Sequence, residues 1–241
     1  MSKIYDALKR AEREREGARE RGGDNGHSAE PVAGRNGQQE DEDYRRLGAS
    51  LMFTPAYSDV RTIGVAATRH GEGATRVAVG LARALASEHE TRVLLVEANL
   101  RTPAFTQKLS LPKTPGLSEF IAGEASAASL IAPVREWNLS VITAGNRTGV
   151  IDCEAIAAAI AEVLGQFDFV IIDLPPVNRY PDATILTPKV DGVMLVVEAD
   201  NTPLVDAESA KRSLDRVGAR IFGVVLNRQR SYVPAVLRGL L

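Results

Sequence analysis

Residues 70 to 77, HGEGATRV, have the residue types of a loop that binds nucleotide phosphates, with one of them changed. Such a loop follows the pattern G-x-x-x-x-G-K-[ST], in which the Lys reaches the β and γ phosphates and the hydroxyl binds Mg²⁺. Here Gly71 and Gly73 are present and Thr75 supplies the hydroxyl, but Ala74 stands where the Lys is expected. The first question is therefore whether this loop still binds a nucleotide or only keeps its shape.

A second candidate lies further along the chain, where the apolar run FDFVIID ends in Asp173 and continues as Leu-Pro-Pro. In proteins with a phosphate-binding loop, the carboxylate at the end of such a strand lies beside the metal ion. The alternative is a strand-end Asp that only caps a turn. Thr75 and Asp173 are thus the candidate Mg²⁺ ligands, and Asp173 is also the candidate catalytic carboxylate.

Three basic residues, Arg69, His70 and Arg76, flank the loop and offer a substitute for the missing Lys. A guanidinium is an effective phosphate donor because its planar fork matches phosphate oxygens. Surface arginines without any ligand are the competing interpretation. From the residues alone, nucleotide binding stays open, as does a tight strand-to-helix turn with no ligand.

A dinucleotide-binding turn is another alternative, because Gly71-x-Gly73 precedes a helical pattern and Glu97 ends the next strand, where a ribose-binding acid would lie. Two features oppose this alternative. Arg76 occupies the third Gly position, and four residues separate the strand from the start of the turn, which is longer than a dinucleotide turn.

Short β-branched runs that alternate with helical windows must position these residues. Near-continuous hydrophobicity suits strands that are covered on both faces, and the helical windows carry apolar stripes such as Ile156, Ile160 and Val163. This alternation predicts an α/β fold with a mainly parallel sheet. The six predicted strands are RTIGVAA, TRVLLVEA, LSVITAG, FDFVIID, DGVMLVVEA and RIFGVVLN.

The first forty residues differ from the rest of the chain. Residues 1–21 have helical spacing of apolar groups among alternating charges, which fits a helix that docks on a protein partner, a solvated helix or a membrane-surface helix. Residues 22–40 are Gly-rich and acidic, and they predict a disordered linker. The α/β domain is then expected over residues 41–241, and it begins with a helical pattern.

Composition excludes several classes of protein. The 241 residues carry a formal net charge of -2, so charge alone predicts no nucleic-acid partner. The single Cys153 lies in a helical pattern, fits a buried small hydrophobe and is consistent with a reducing compartment. No signal peptide and no apolar stretch of about 18 residues is apparent. We therefore expect a cytoplasmic protein without a membrane span.

Taken together, five stretches resemble, in order and spacing, the cytoplasmic domain of the bacterial tyrosine kinases of capsular and exopolysaccharide biosynthesis. The match covers residues 42–230, and the opening MSKIYDALKRAE also resembles the variants found in exopolysaccharide clusters. MinD and ParA relatives share the loop, but they have neither PGLSEFIAGEAS nor the run that extends from DLPP to DGVMLVV. The five stretches are AATRHGEGATRVAVGLA, VLLVEANLRTP, PGLSEFIAGEAS, FDFVIIDLPPVNRYPDATILTPKVDGVMLVVEADNT and FGVVLNR.

This resemblance implies a three-layer domain of the P-loop type that holds ATP or ADP with Mg²⁺ on the loop. It also implies homo-oligomeric rings, phosphorylation in trans of a C-terminal Tyr cluster, and a membrane polysaccharide co-polymerase as partner, which would place the protein at the periphery of the inner membrane. The implied ring contact is made by Glu42 and Arg45. The implied nucleotide site consists of Gly71, Glu72, Gly73, Ala74, Thr75, Arg76, Arg101 and Asn227, with Asp173 as the Walker-B acid.

Several positions depart from the family pattern. Besides Ala74, the second acidic motif, normally Asp-x-Asp, is Glu97-Ala98-Asn99, and the C-terminus has one Tyr, Tyr232, in place of several. Gly48 replaces the last Arg of the ring motif. Because phosphoryl transfer depends on positioning and on neutralising charge at the γ phosphate, these changes predict poor transfer.

We therefore expect a degenerate, kinase-like regulatory component of exopolysaccharide biosynthesis and export. An active tyrosine autokinase and a MinD- or ParA-like ATPase are the alternatives.

Overall fold

A computed structural model describes residues 37–88, 90–109, 111, 115–146 and 151–229. The predicted helix over 1–21, the linker up to residue 36 and Tyr232 lie outside these residues. Within them, the structure confirms the predicted α/β fold, with helices on both faces of one sheet.

The sheet has seven strands in the order β3-β4-β2-β5-β1-β6-β7. Every neighbouring pair is parallel except β3 and β4, which are antiparallel. The three-residue edge strand β3 was not predicted, while the other six strands fall within the predicted runs. The strands are β1 (Thr62–Ala67), β2 (Val93–Glu97), β3 (Ala132–Val134), β4 (Leu139–Ile142), β5 (Phe169–Asp173), β6 (Gly192–Glu198) and β7 (Ile221–Asn227).

Seven α-helices and five short 3₁₀ turns connect the described strands. The helices are α1 (Gly37–Phe53), α2 (Ala74–Ala86), α3 (Phe105–Lys108), α4 (Leu117–Ile121), α5 (Cys153–Val163), α6 (Pro181–Leu186) and α7 (Leu204–Arg216). The 3₁₀ turns are Pro55–Tyr57, Ala127–Leu130, Arg135–Trp137, Leu164–Gln166 and Thr187–Lys189.

Alternate residues of the central strands pack into two separate cores, one on each face of the sheet. Leu94 and Val96 of β2 lie in the core that α5, α6 and α7 cover, while Leu95 lies in the core under α1 and α2. This arrangement explains the continuous hydrophobicity of the strands, since both faces are buried. Cys153 is 8% exposed and packs in the first core, as predicted.

Helix α1 begins at Gly37, so the prediction that residues 37–40 belong to the linker was wrong. Gln and Glu in this segment are good helix formers, and tertiary contacts hold the helix on α2. The Tyr44 ring lies against Gly80, where a Cβ atom would overlap it, and Leu51 is 2% exposed. Composition indicated low hydrophobicity here but carried no information on these contacts.

Across the described ranges, none of the helices combines the length and the apolar character needed to cross a lipid bilayer.

Candidate functional site

The phosphate-type loop lies between the end of β1 and the start of α2, at the carboxyl edge of the sheet. Gly71 and Gly73 have φ angles of 91° and 96°, a region that favours glycine. A Cβ atom at Gly73 would also overlap the side-chain amide of Asn227. Gly73 caps α2 without a side-chain acceptor, so the first-turn amides of this helix lie at the loop, as in an anion site.

Three polar contacts of Glu72 fix the shape of the loop and hold it to the segment after β6 and to the end of β7. Glu72 is 1% exposed, and its Oε2 accepts a hydrogen bond from the Arg69 amide at 2.8 Å. The Thr202 hydroxyl donates to Glu72 Oε1 at 2.6 Å, and Asn227 Nδ2 donates to the Glu72 carbonyl at 2.7 Å. The chain thus holds the loop in shape through its own side chains. Thr202 was missed at the sequence level, although it ends the stretch that carried the resemblance.

The two predicted Mg²⁺ ligands, Thr75 and Asp173, lie side by side. Asp173 is 1% exposed, and its carboxylate accepts a hydrogen bond from the Thr75 hydroxyl. The other oxygen, Oδ1, is buried without a hydrogen-bond partner. Burial, reinforced by the nearby Glu97, raises the pKa of Asp173 to about 7, against the lowering effect of Thr75. A hydroxyl beside an unsatisfied carboxylate oxygen fits a Mg²⁺ ligand pair.

This pair would hold Mg²⁺ only together with other ligands. In the described part of the chain, no group of three or more His, Cys, Asp and Glu side chains is placed to hold a metal ion. Mg²⁺ is usually bound by one or two carboxylates together with waters and substrate phosphates. The Thr75–Asp173 pair is therefore compatible with the metal half of a Mg²⁺-nucleotide site, which a phosphate ligand would have to complete.

Glu97, the first acid of the altered second motif, points its carboxylate at the backbone. It is 1% exposed, and its Oε1 accepts hydrogen bonds from the amides of Ala104 and Phe105, the latter at 2.7 Å. Oε2 accepts from the Ala144 amide at 3.0 Å. With these three bonds, Glu97 links the start of α3 to the segment after β4. This geometry argues against the ribose-binding role of the dinucleotide alternative.

Asn99, the second position of that motif, also bonds locally. Its Nδ2 donates to Thr102 Oγ1 at 3.0 Å, and its Oδ1 accepts from the Thr102 amide at 3.3 Å. The segment that carries a pair of acids in the family therefore forms a turn in this chain, and neither side chain is directed at the loop through a described hydrogen bond.

Both arginines that could replace the loop Lys face carboxylates. Arg69 contacts Glu72 at 3.3 Å and Asp206 at 3.5 Å. Arg76 forms two hydrogen bonds with Glu40 of α1, of which Nε to Oε1 is 2.5 Å, and this contact raises the pKa of Arg76. The anion half of the site thus has its backbone amides, with Ala74 at the position of the loop Lys, and both of these arginines are paired.

Arg101, predicted at the nucleotide site, is paired with Asp182 at the first turn of α6. Its Nε to Asp182 Oδ2 distance is 2.5 Å, with a second bond of 3.1 Å, and its guanidinium lies 4.5 Å from the centre of the Tyr180 ring. Asp182, which is 6% exposed, was not indicated by any sequence pattern. The described contacts of Arg101 connect β2 to α6 and do not include the loop.

The predicted ring residues Glu42 and Arg45 are exposed on α1, and Glu42 pairs with Arg46 at 2.5 Å. Gly48, which replaces the last Arg of the ring motif, faces α2, where a Cβ atom would lie 3.5 Å from Leu85. The third position of the motif is therefore on the buried side of the helix.

No model of a known protein family matches the sequence. Curated relatives nevertheless cover most of the chain. It is 27% identical over 191 residues to the putative tyrosine-protein kinase CapB of Staphylococcus aureus, and this match covers 78% of the present chain and 83% of CapB. It is 29% identical over 194 residues to the succinoglycan biosynthesis transport protein ExoP of Rhizobium meliloti, of which only 25% is matched.

Solved structures that resemble this chain also cover most of it. The chimerical protein CapA2B2 matches with a TM-score of 0.71 and 29% identity over 79% of this chain and 85% of its own. The cell division ATPase MinD of Pyrococcus furiosus matches with a TM-score of 0.63 and 25% identity over 73% of this chain and 76% of its own. In sequence and fold the chain is thus similar to the bacterial tyrosine kinases of capsule and exopolysaccharide biosynthesis, and it shares the P-loop type of fold with MinD.

Proposed function

We propose that this protein is a kinase-like regulatory component of exopolysaccharide or capsule biosynthesis and export, without efficient tyrosine-kinase activity. It acts at the cytoplasmic face of the inner membrane through a membrane polysaccharide co-polymerase. The observation that carries this proposal is the state of the phosphate loop, which has lost its Lys while both neighbouring arginines are paired with carboxylates.

The loss of the loop Lys affects γ-phosphoryl transfer, which is the step that most needs positive charge at the loop. Ala74 is 7% exposed and its methyl group packs in the core under α2. Losing one preorganised donor typically costs on the order of 10²–10³ in rate. The buried carboxylate of Glu72 adds negative charge to the loop, and Glu97 is bonded to backbone amides at the position of a family acid. Each change acts against γ-phosphoryl transfer.

Weak nucleotide binding is compatible with the same geometry. Thr75 and Asp173 would hold Mg²⁺, and the first-turn amides of α2 would bind phosphate oxygens. When bound, the nucleotide would supply the phosphate ligands that the metal pair lacks. Asn227 and Glu72 keep the loop in the required shape. We therefore expect ATP or ADP to bind far more weakly than to a loop with its Lys.

The partner is proposed from the similarity to a transport protein. One relative, ExoP, is a succinoglycan biosynthesis transport protein, which supports an association with the machinery of polysaccharide export. We propose a membrane polysaccharide co-polymerase as the partner, and we propose that α1, with Glu42 and Arg45 exposed, contributes to contacts between copies of the chain.

Calorimetric titration of the full chain with ADP and ATP, with and without Mg²⁺, tests the state of the loop when Ala74→Lys is measured alongside. We expect little or no binding by the wild-type chain and a gain of Mg²⁺-dependent binding in the variant. Ala158→Lys, which adds the same charge at an exposed position of α5, is the matched control and is expected to gain nothing.

Autophosphorylation on tyrosine, measured with a phosphotyrosine antibody and by mass spectrometry, tests the loss of activity. Efficient Mg²⁺-dependent autophosphorylation by the wild-type chain would overturn the proposal in favour of an active kinase. Nucleotide-dependent dimers recruited to vesicles, without tyrosine phosphorylation, would instead favour a MinD-like ATPase.

A further inference from the structure

We propose that Arg76 is a phosphate-binding residue of this loop and that Glu40 of α1 withholds it, so that the position of α1 sets the affinity of the loop for polyphosphates. This inference deepens the proposed function and rests on it, since both concern the same loop. It assigns a role to a contact between two elements that are separate in the sequence.

Arg76 is the cation best placed to replace the loop Lys. It directly follows Thr75 in the first turn of α2, so its side chain starts beside the loop amides. The guanidinium of Arg69, the other candidate, contacts both Glu72 and Asp206. Its Nη2 also donates a hydrogen bond to the Asn201 carbonyl at 2.9 Å. Arg76, in contrast, donates hydrogen bonds from Nε and Nη2 to the single carboxylate of Glu40. The Arg76 side chain is 69% exposed.

Helix α1 brings Glu40 to this position. The Tyr44 hydroxyl donates to Glu40 Oε1 at 3.2 Å and so orients the carboxylate one helical turn away. Tyr44 itself is fixed because its ring lies against Gly80 of α2, where no side chain larger than hydrogen fits. Two turns further along, Leu51 is buried in the core that it shares with the same helix. Glu40 therefore meets Arg76 as a consequence of how α1 packs on α2.

A phosphate competes directly with Glu40 for the guanidinium. The planar fork of an Arg forms paired hydrogen bonds with one carboxylate or one phosphate at a time. An exposed ion pair is weak, so a ligand with several negative charges can displace the carboxylate. By linkage, a change that moves α1 away from α2 raises the affinity of the loop, and bound polyphosphate loosens the contact of α1 by the same factor.

The test is a double-mutant cycle with Mg²⁺-ADP as the titrant and the full chain as the protein. Glu40→Gln, Arg76→Gln and the double variant are compared in the wild-type chain and in the Ala74→Lys chain, where binding is strong enough to measure. Glu40→Gln is expected to tighten binding about two- to fivefold, the range set by an exposed pair. Arg76→Gln is expected to weaken binding, and the double variant to behave like Arg76→Gln.

Asp41→Asn is the matched control, because it makes the same change of charge at an exposed neighbouring position on α1. It is expected to leave the affinity unchanged. The proposal is overturned if Glu40→Gln has no effect, if it tightens binding equally without Arg76, or if none of the chains binds Mg²⁺-ADP. If Ala74→Lys gains Mg²⁺-ADP binding but Glu40→Gln has no effect on it, this inference alone is contradicted. Tyrosine autophosphorylation by the wild-type chain would instead contradict the proposed function alone.

Discussion

Glu97 and Asp173 lie at the same edge of the sheet, in register with each other at the ends of β2 and β5. Both are 1% exposed. Glu97 accepts three backbone hydrogen bonds, two on one oxygen and one on the other. Asp173 accepts one from Thr75 and leaves Oδ1 without a partner. Both carboxylate oxygens of Glu97 thus accept hydrogen bonds, whereas one oxygen of the neighbouring Asp173 accepts none.

Side-chain length accounts for the difference. The extra methylene of Glu97 lets its carboxylate reach beyond the strand end to the amides of α3 and of Ala144. The shorter Asp173 stays beside Thr75, where its charge is buried with little compensation, so its pKa rises to about 7. A buried carboxylate with all its hydrogen bonds stabilises the fold, whereas one with a free oxygen is suited to a ligand.

The largest effect is expected from Glu97→Ala, which leaves two buried amides and one partly buried amide without an acceptor. Each unsatisfied buried group costs roughly 1–3 kcal/mol, so we expect the free energy of unfolding to fall by about 3–5 kcal/mol in urea denaturation at neutral pH. Asp173→Asn, the matched change at the other acid, is expected to cost far less or to stabilise. Equal losses at the two positions would contradict the comparison.

The next effect is expected in the pH dependence of stability, measured without nucleotide and with EDTA. Since the pKa of Asp173 is raised from 3.8 to about 7, the folded chain binds one more proton than the unfolded chain between these values. The contribution of Asp173 to the free energy of unfolding therefore falls as pH rises through that interval, by up to about 1.4 kcal/mol per pH unit.

Asp173→Asn removes that component, so the difference in stability between the variant and the wild type is expected to grow in favour of the variant from about pH 4 to about pH 7. Taking the difference also cancels the opposite contributions of carboxylates whose pKa is lowered, such as Asp191 and Glu198. A difference that does not change with pH would show that Asp173 titrates normally.

The contrast between the two acids also shows what sequence patterns can predict. The strand ends, the loop and the Thr75–Asp173 pair were predictable, because parallel strands place their carboxyl ends at one edge. The partners of Glu97 were not, since the Ala144 amide is 47 residues away and is brought close only by the packing of β4 beside β2.

The distant contacts of Arg69 and Arg76 were likewise outside the reach of local patterns. A guanidinium beside a phosphate-type loop is an equally good donor to a phosphate or to a carboxylate. Arg69 meets Glu72 within the loop, but it also meets Asp206 of α7, and Arg76 meets Glu40 of α1. The contacts with Asp206 and Glu40 are made by tertiary packing, and residue types near the loop do not reveal them.

The smallest effect is expected from Thr75→Val, which removes the one hydrogen bond that Asp173 accepts while nearly keeping the shape of the side chain. Because this bond favours the ionised carboxylate, its loss should raise the pKa of Asp173 further. The variant should therefore lose about 1–2 kcal/mol of stability above pH 7 and almost nothing near pH 5, where the acid is protonated in both folded chains.

Thr184→Val provides the control for this last variant. The Thr184 hydroxyl donates to the Pro181 carbonyl at 2.7 Å, so its loss involves no titrating partner and its cost should not change with pH. If Thr75→Val also has a cost that does not depend on pH, the Thr75 hydroxyl does not act on the ionised form of Asp173. The two acids would then differ in burial alone, and the Thr75–Asp173 pair would lose its standing as the metal half of the site.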